Sequence, residues 1–288
     1  MNAIEIRNMH KSFGSYQLSN VSFNVPEGYI SGLIGPNGAG KSTIIKSIMG
    51  MAVPDQGEIT VLGQPINQES ADYKGQIGYI SDENIYYDYL TLTDIKKIIV
   101  PFYSNWDEDI YIKYMDLFEL PSRKKIKECS KGMKTKFSIA LALSHHPKLL
   151  IMDEPTAGLD PVFRRELLEL LAGYILDEGN TILFSTHLTT DLDRVADYVT
   201  FVNRGQIVFS DAKDDVMDRY LIVKGGRELL DPDVRKEFVG LRETGVGFEG
   251  LCKDRKRAAE VFAEQVIYQT PTLEEIMYYT AKGGKKHV

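Results

Sequence analysis

The chain has 288 residues, of which 43% are apolar and 26% charged, which is the composition of an ordinary soluble protein with a full hydrophobic core. Its 34 basic and 41 acidic residues give a net charge of −7, which argues against nucleic acid as a partner. Two cysteines cannot form a disulfide framework and suit the cytosol, and no apolar run approaches the roughly 20 residues of a membrane-spanning helix.

The N-terminal part of the chain is predicted to form strands. Residues 3–9 and 18–25 are strand-like, and residues 21–25 alternate apolar and polar side chains as a half-exposed antiparallel strand does. Residues 29–34 are predicted to form a buried strand. Phe13 lies between the first two strands. Its ring either packs in the core, which its spacing favours, or lies over an adenine ring.

A glycine-rich segment follows the buried strand and leads into an apolar helix at residues 44–50, and it fits the pattern G-x-x-x-x-G-K-[ST]. Such a turn directs several backbone N–H groups at one point, where phosphate binds. Lys41 is expected to bind the β- and γ-phosphates of a nucleotide, and Ser42 to ligate Mg²⁺. The segment consists of Gly35, Pro36, Asn37, Gly38, Ala39, Gly40, Lys41, Ser42 and Thr43.

The secondary structure that the sequence predicts changes after a strand at residues 76–80. Polar residues follow that strand, among them Asp82, and they form either a ligand site at a strand end or a solvated loop. From about residue 86 to residue 144, helix-like patterns replace the β-branched strands, which predicts a helical subdomain inserted into the core sheet. These patterns cover residues 91–100, 107–118 and 130–144.

Ser130 is a good N-cap for the last of these helices. A helix start that presents Ser130 and Gly132 is either a second phosphate site or simply a capped helix, and the sequence alone favours the capped helix.

The next buried strand contains Leu-Leu-Ile-Met at residues 149–152, and two adjacent carboxylates lie at its C-terminal end. Asp153 is placed to hold Mg²⁺, and Glu154 to orient or deprotonate an attacking water molecule. Because adjacent carboxylates repel each other at a buried strand end, a cation is expected nearby.

The remaining patterns complete a main domain and add a smaller one. Asp160 is a predicted N-cap, and His187 follows a strand at residues 181–185, where it either contacts a γ-phosphate or is structural. Strands at 198–203 and 206–210 end the main domain, residues 1–210. Residues 211–288 are predicted to form a small α+β appendage, with strand-like patterns at 220–223 and 265–268 and helix-like patterns at 232–238 and 254–263.

In this order, the motifs resemble those of the ATP-binding subunit of an ABC transporter. That resemblance implies an α/β fold, a P-loop NTPase (RecA-like) core with an antiparallel β subdomain, the helical subdomain and the appendage. The motifs are Walker A at Gly35 to Thr43, a signature at Cys129 to Met133, Walker B at Leu149 to Glu154, the D-loop Gly158-Leu159-Asp160 and the switch His187.

The resemblance also assigns roles. Glu154 matches the catalytic glutamate, His187 the γ-phosphate sensor and Phe13 the aromatic residue beside adenine, with ATP and Mg²⁺ as cofactors. Ser42, Asp153 and Asp82 would hold the metal, and Lys41 would take part in catalysis. Nucleotide held by a second copy would contact Ser130 and Gly132, with Asp160 as a further nucleotide-binding residue.

Two motifs depart from the family pattern. Asp82 stands where family members usually have glutamine. In the signature, for which the family has LSGGQ, Lys131 replaces a glycine and Cys129 the leucine. Asp82 is shorter than glutamine, so the departure leaves open whether its side chain reaches Mg²⁺. Lys131 either places a cation near the partner's phosphates or points outward.

The resemblance implies an ATP-hydrolysing subunit at the cytoplasmic face of the cell membrane. It would dimerise head to tail with itself or a homologous subunit, and it would work with separate transmembrane permease chains. The stretch Asn105-Trp106-Asp107 and the Ser-Lys-Gly-Met signature resemble, more loosely, antibiotic- and peptide-export ATPases. The alternatives are an ABC-type ATPase of DNA repair or translation, whose usual insertions the chain lacks, and a regulatory subunit with little hydrolysis, which the intact Glu154 opposes.

Overall fold

The computed structural model of the protein describes residues 1–14, 16–66, 72–83, 85–177, 179–262 and 265–283. The chain separates into two compact units, Met1–Ser210 and Asp211–Val288. The strands are β1 (Asn2–Phe13), β2 (Tyr16–Pro26), β3 (Ile30–Ile34), β4 (Gln56–Val61), β5 (Gln64–Pro65), β6 (Ile77–Ile80), β7 (Leu149–Asp153), β8 (Thr181–Thr186), β9 (Tyr198–Asn203), β10 (Gln206–Ala212), β11 (Leu221–Gly225), β12 (Phe238–Glu243), β13 (Phe248–Cys252) and β14 (Ile267–Gln269).

The helices lie between strands along the chain, with three in succession between β6 and β7, and the last helix follows the last strand. They are α1 (Lys41–Ile48), α2 (Leu92–Ile99), α3 (Glu108–Leu117), α4 (Lys131–Leu143), α5 (Pro161–Tyr174), α6 (Thr189–Val195), α7 (Lys213–Arg219), α8 (Arg255–Phe262) and α9 (Leu273–Gly283). Short 3-10 helices span Asp72–Gln76, Val100–Phe102, Ile126–Glu128, Arg227–Leu229 and Val234–Glu237.

A four-stranded antiparallel sheet opens the first unit, in the order β2-β1-β4-β5. Ile6 in β1 pairs with Phe23 on one side and Ile59 on the other, and all three side chains are buried. Strand β2 buries every second residue from Val21 to Val25, as the period of a half-exposed strand requires. The predicted alternation of this segment is therefore confirmed.

A six-stranded sheet forms the centre of the first unit, in the order β10-β9-β3-β8-β7-β6. Strands β9, β3, β8, β7 and β6 pair in parallel, and every residue of β3, β7 and β8 is buried. The registers Ile34 with Thr186, Asp153 with Ser185 and Ile80 with Met152 align the ends of four strands. The segments that leave these strands therefore emerge together at the carboxyl edge, where open α/β sheets bind ligands.

The helical segments between β6 and β7 form the predicted insertion, because β6 and β7 are themselves neighbours in the sheet. Thr91 caps α2 through a capping box with Asp94, and Asp107 caps α3. Ser130 caps α4 by accepting a hydrogen bond from the N–H of Met133 at 3.2 Å. The last turns of α4 are buried over Phe137–Leu143, so this helix anchors the insertion.

The second unit contains a four-stranded antiparallel sheet in the order β12-β13-β11-β14, together with α8 and α9. The helix predicted at 232–238 is wrong in type, since a short 3-10 helix there runs directly into β12. Sequence patterns also missed β12 and β13, because glycines interrupt them. Gly240 allows the Tyr279 backbone to approach so closely that a Cβ would collide with it.

Across the described ranges, none of the helices combines the length and the apolar character that crossing a bilayer demands.

Candidate nucleotide-binding site

A cleft of about 580 Å³ lies at the carboxyl edge of the central sheet. It brings together residues from the loops after β3, β6, β7 and β8, as the strand registers dictate. Its lining consists of Tyr16, Asn37, Gly38, Gly40, Lys41, Ser42, Thr43, Asp82, Glu154, Ala157 and His187. Nine of the residues that the sequence predicted for the site are thus neighbours in space.

The glycine-rich loop turns sharply between β3 and α1. Gly40 is the residue before α1 and has φ +111°, a left-handed conformation that favours glycine. A Cβ at this position would also collide with the Tyr16 hydroxyl. The loop therefore closes only with glycine there, which leaves the first N–H groups of α1 at the edge of the cleft.

Lys41 is the only full positive charge that the phosphate loop brings to the cleft. It is 5% exposed, and its Nζ donates a hydrogen bond to the Gly35 carbonyl oxygen at 2.8 Å. The same Nζ lies 3.1 Å from Glu154 Oε1, in an ion pair. The ammonium therefore bridges the phosphate loop and the carboxylate that follows β7.

Glu154 is held in an unusual conformation. Its φ is +50°, which is sparsely populated for a residue with a side chain and is found mostly where function requires it. Its Oε2 lies 2.8 Å from His187 Nδ1 and accepts a hydrogen bond from the His187 backbone N–H at 3.3 Å. Oε1 is buried and, apart from the ion pair with Lys41, has no hydrogen-bond partner within the described residues.

Asp153 lies one residue earlier, at the end of β7, and is 4% exposed. Its Oδ1 accepts a hydrogen bond from the Ser185 hydroxyl at 2.5 Å. Ser42 and Asp82 line the cleft with a hydroxyl and a carboxylate. Hydroxyl and carboxylate oxygens are the ligands that Mg²⁺ prefers, so this set of side chains fits a magnesium ion beside a phosphate.

A buried network fixes the segments behind Glu154 and His187. Asp191 is 1% exposed; its Oδ1 accepts a hydrogen bond from Arg164 Nε at 2.6 Å and its Oδ2 one from the Thr156 hydroxyl at 2.7 Å. Thr156 follows Glu154 by two residues, and Asp191 follows His187 by four. We name these three residues, Arg164, Asp191 and Thr156, the inner cluster. No sequence motif pointed to it.

The sequence also missed Tyr16. Its hydroxyl donates a hydrogen bond to the Ala39 carbonyl oxygen at 2.7 Å, and its side chain lines the cleft. Burial raises the pKa of this hydroxyl, so it stays protonated as a donor. Phe13, by contrast, is 48% exposed, lies outside the cleft lining, and has the Lys11 ammonium 5.2 Å from its ring centroid.

Four further predicted residues beyond the phosphate loop also lie outside the lining of this cleft, namely Asp153, Ser130, Gly132 and Asp160. Ser130 and Gly132 are at the start of α4, and Ser130 is exposed. Asp160 caps α5, and the N–H groups of Phe163 and Val162, which donate to its carboxylate, hold its pKa below the usual range. Gly35, Pro36 and Ala39 shape the loop from behind. One copy of the chain therefore presents part of the predicted site.

Comparisons with known proteins agree with this geometry. The family model described as ABC transporter matches residues 18–157. The lantibiotic transport ATP-binding protein SrtF of Streptococcus pyogenes is 35% identical over 214 residues, which cover 73% of this chain and 91% of SrtF. The Nod factor export ATP-binding protein I of Rhizobium sp. (strain N33) is 35% identical over 210 residues, which cover 71% of this chain and 69% of that protein.

A solved structure of an ATP-binding subunit of an ABC transporter has the same fold, with a TM-score of 0.68 and 30% sequence identity. The match covers 75% of this chain and 92% of the solved one. The relatives and this structure confirm the family and the fold class that the motifs predicted. The chain belongs to the ABC transporter family, in which it is an ATP-binding subunit and an ATPase.

Proposed function

We propose that the chain powers an exporter by binding and hydrolysing ATP between two copies arranged head to tail. Residues 1–210 would form the ATP-binding domain and residues 211–288 an accessory domain. This proposal rests above all on the convergence of Lys41, Glu154 and His187 in one cleft behind a phosphate loop.

Within one copy, the phosphate loop binds the nucleotide. The N–H groups at the start of α1 and the Lys41 ammonium face the β- and γ-phosphates, and Tyr16 holds the loop from the side. Ser42, Asp153 and Asp82 would hold Mg²⁺, which would neutralise phosphate charge. Lys41, now paired with Glu154 and the Gly35 carbonyl, exchanges these contacts for phosphate oxygens.

Glu154 then acts on the attacking water molecule. With Lys41 engaged by phosphate, Oε1 becomes the free acceptor that a general base needs, and Oε2 stays oriented by His187. The proton of the water moves to Glu154 as the water oxygen bonds to the γ-phosphorus. The bond between that phosphorus and the bridging oxygen breaks, and ADP leaves with the electron pair. His187 is 37% exposed and lines the cleft, so its Nε2 is available to the γ-phosphate.

A second copy supplies the rest of the site. Ser130, Gly132 and Asp160 do not line the cleft of their own copy, and Ser130 is exposed at a helix N-terminus, where anions bind. In a head-to-tail dimer, these residues would meet the ATP held by the partner. Each dimer would thus bury two ATP molecules.

A transmembrane permease chain is the proposed partner of the helical insertion. Its face and the loop before it expose Ile85, Tyr87, Tyr89 and Phe102, each at least 60% accessible. Such a set of large apolar side chains is typical of a protein interface. This contact would place the subunit at the cytoplasmic face of the membrane. Nod factor export by one relative supports export as the direction.

Hydrolysis measured across a range of protein concentrations tests the proposal. The specific rate should rise with concentration, and Glu154→Gln should abolish it while ATP traps that variant as a dimer. Glu169→Gln, on the exposed face of α5, serves as a control for loss of one carboxylate. Bound ATP without hydrolysis, both alone and with the permease present, would instead establish the regulatory subunit that the departures at Asp82 and Lys131 suggest.

A further inference from the structure

Two of the departures from the family pattern, Asp82 and Lys131, meet in space. Lys131 Nζ lies 2.5 Å from Asp82 Oδ1, although the residues are 49 positions apart in the chain. Asp82 replaces the usual glutamine and Lys131 the usual glycine. A charged hydrogen bond this short requires both side chains to point at one place, so the two substitutions are physically linked. We name this ion pair, Lys131–Asp82, the outer pair.

The outer pair joins two surfaces with different tasks. Asp82 lines the cleft that would hold the ATP of its own copy. Lys131 is the first residue of α4, next to Ser130, and lies outside that lining. One contact therefore connects the cleft to the surface that would meet the ATP of the partner.

Neighbouring contacts hold the Asp82 segment on its other side. Glu83 pairs with Lys46 of α1 at 3.7 Å, and its backbone N–H donates a hydrogen bond to the Ser81 hydroxyl at 3.2 Å. Residues 81–83 thus lie beside α1, which follows the phosphate loop, and the shorter of their two ion pairs is the one between Asp82 and Lys131 of α4.

Lys131 is held as well. Its aliphatic stem passes beside Gly158, where an added Cβ would lie 3.5 Å from Lys131 Cδ. The turn at Gly158 belongs to the D-loop, which ends at Asp160. The stem of Lys131 therefore runs near the D-loop, while its ammonium contacts Asp82.

We propose that Lys131 is a positioning residue for Asp82 of the same copy, and that the outer pair couples the two ATP sites of the dimer. This inference rests on the proposed head-to-tail dimer. The pair fixes the Asp82 segment and the start of α4 in one arrangement before two copies meet. Less conformational freedom is then lost on association, so the dimer is more stable with the pair than without it.

ATP-driven dimerisation measures this coupling without hydrolysis. In the Glu154→Gln background, light scattering gives the dimer dissociation constant at saturating ATP for four chains: the parent, Asp82→Asn, Lys131→Met and the double variant. An exposed ion pair contributes a factor of about 1.5 to 5, and a symmetric dimer contains two, so Lys131→Met should weaken dimerisation about 2- to 25-fold. In the Asp82→Asn background, Lys131→Met should leave the dimer dissociation constant unchanged.

Three control variants separate the pair from general effects of charge. Lys134→Met removes the same charge from the same helix, and Glu83→Gln breaks the neighbouring contact to Lys46. Both should leave dimerisation within about two-fold of the parent, since such exposed charges contribute little. Lys131→Arg keeps a cation beside Asp82 and should therefore retain most of the dimerisation that Lys131→Met loses.

Several results would overturn the inference. If Lys131→Met weakens dimerisation equally with and without Asp82→Asn, then Lys131 binds the partner's phosphate directly. No loss in either background would mean that the ammonium merely faces solvent. A parent that binds ATP and stays monomeric would overturn the coupling together with the dimer itself.

Hydrogen exchange tests the pair in the single chain, without any dimer. The amides of residues 81–83 should exchange about 1.5- to 5-fold faster in Lys131→Met than in Lys134→Met, because only Lys131→Met releases Asp82. Equal rates in the two variants would show that the outer pair does not hold this segment. This readout distinguishes failure of the pair from failure of the proposed function.

Discussion

The inner cluster and the outer pair each contain an ion pair near the cleft, and the two ion pairs differ chiefly in burial. In the inner cluster the Asp191 side chain is 2% exposed and that of Arg164 30%. In the outer pair, Lys131 and Asp82 are 47% and 42% exposed. The closest N–O distances, 2.6 and 2.5 Å, are nearly the same. Geometry alone therefore does not rank the two groups.

Burial ranks them instead. A buried carboxylate has lost its water, so removing one partner leaves a charge that nothing else solvates. An exposed pair exchanges its contact for water at little cost, and salt screens it further. We infer that the inner cluster stabilises the fold behind Glu154 and His187, whereas the outer pair affects the association of two copies.

The largest effect is expected from Asp191→Asn. Because this change leaves the Arg164 guanidinium without its buried counter-charge, it should lower the free energy of unfolding by about 3 kcal/mol. Urea unfolding followed by the fluorescence of Trp106, the only tryptophan of the chain, measures it. The matched control is Glu169→Gln, which breaks the exposed Arg165–Glu169 pair one position along α5. Equal costs for the two variants would refute the ranking by burial.

Thr156→Val should have the next largest effect. It keeps the shape of the side chain but removes the hydroxyl that donates to Asp191, leaving a buried carboxylate oxygen with one bond fewer, at a cost of about 2 kcal/mol. The same unfolding assay applies. Combined with Asp191→Asn, the cost should be less than the sum of the two single costs, since both variants act on one network. Additive costs would argue that Thr156 stabilises the fold independently of Asp191.

Lys131→Met should change the free energy of unfolding by less than about 0.5 kcal/mol, since both side chains of the outer pair are nearly half exposed. Its effect should instead appear in ATP-driven dimerisation, and raising the salt concentration should shrink the difference from the parent. A stability loss comparable to that of Asp191→Asn would mean that the outer pair is structural.

Glu83→Gln is expected to have the smallest effect. The ion pair of Glu83 with Lys46 is long, at 3.7 Å, and the Glu83 side chain is 76% exposed. Unfolding and dimerisation should both stay within measurement error of the parent, because such pairs contribute almost nothing. A clear loss of dimerisation would show that the whole 81–83 segment, rather than Asp82 alone, carries the coupling.

Much of the fold followed from the sequence. The predicted helices at 91–100, 107–118 and 130–144 match α2, α3 and α4 to within about two residues, since caps such as Ser130 mark their ends. The strands of the appendage were harder to predict from the sequence. Gly240 and Gly250 break the strand pattern of β12 and β13. These segments become strands only in the folded unit, where β13 pairs with β11 and β12 pairs with β13.

The sequence by itself determined the phosphate loop, the Asp153–Glu154 pair at a strand end and the order of motifs that marks an ABC ATPase. These features are local, because neighbouring residues in the chain carry both the backbone shape and the chemistry. The tertiary structure alone decided that Tyr16 rather than Phe13 lines the cleft, that Asp191 ties Thr156 to Arg164, and that Lys131 meets Asp82. Each of these contacts joins residues more than 20 positions apart, so folding alone brings them together.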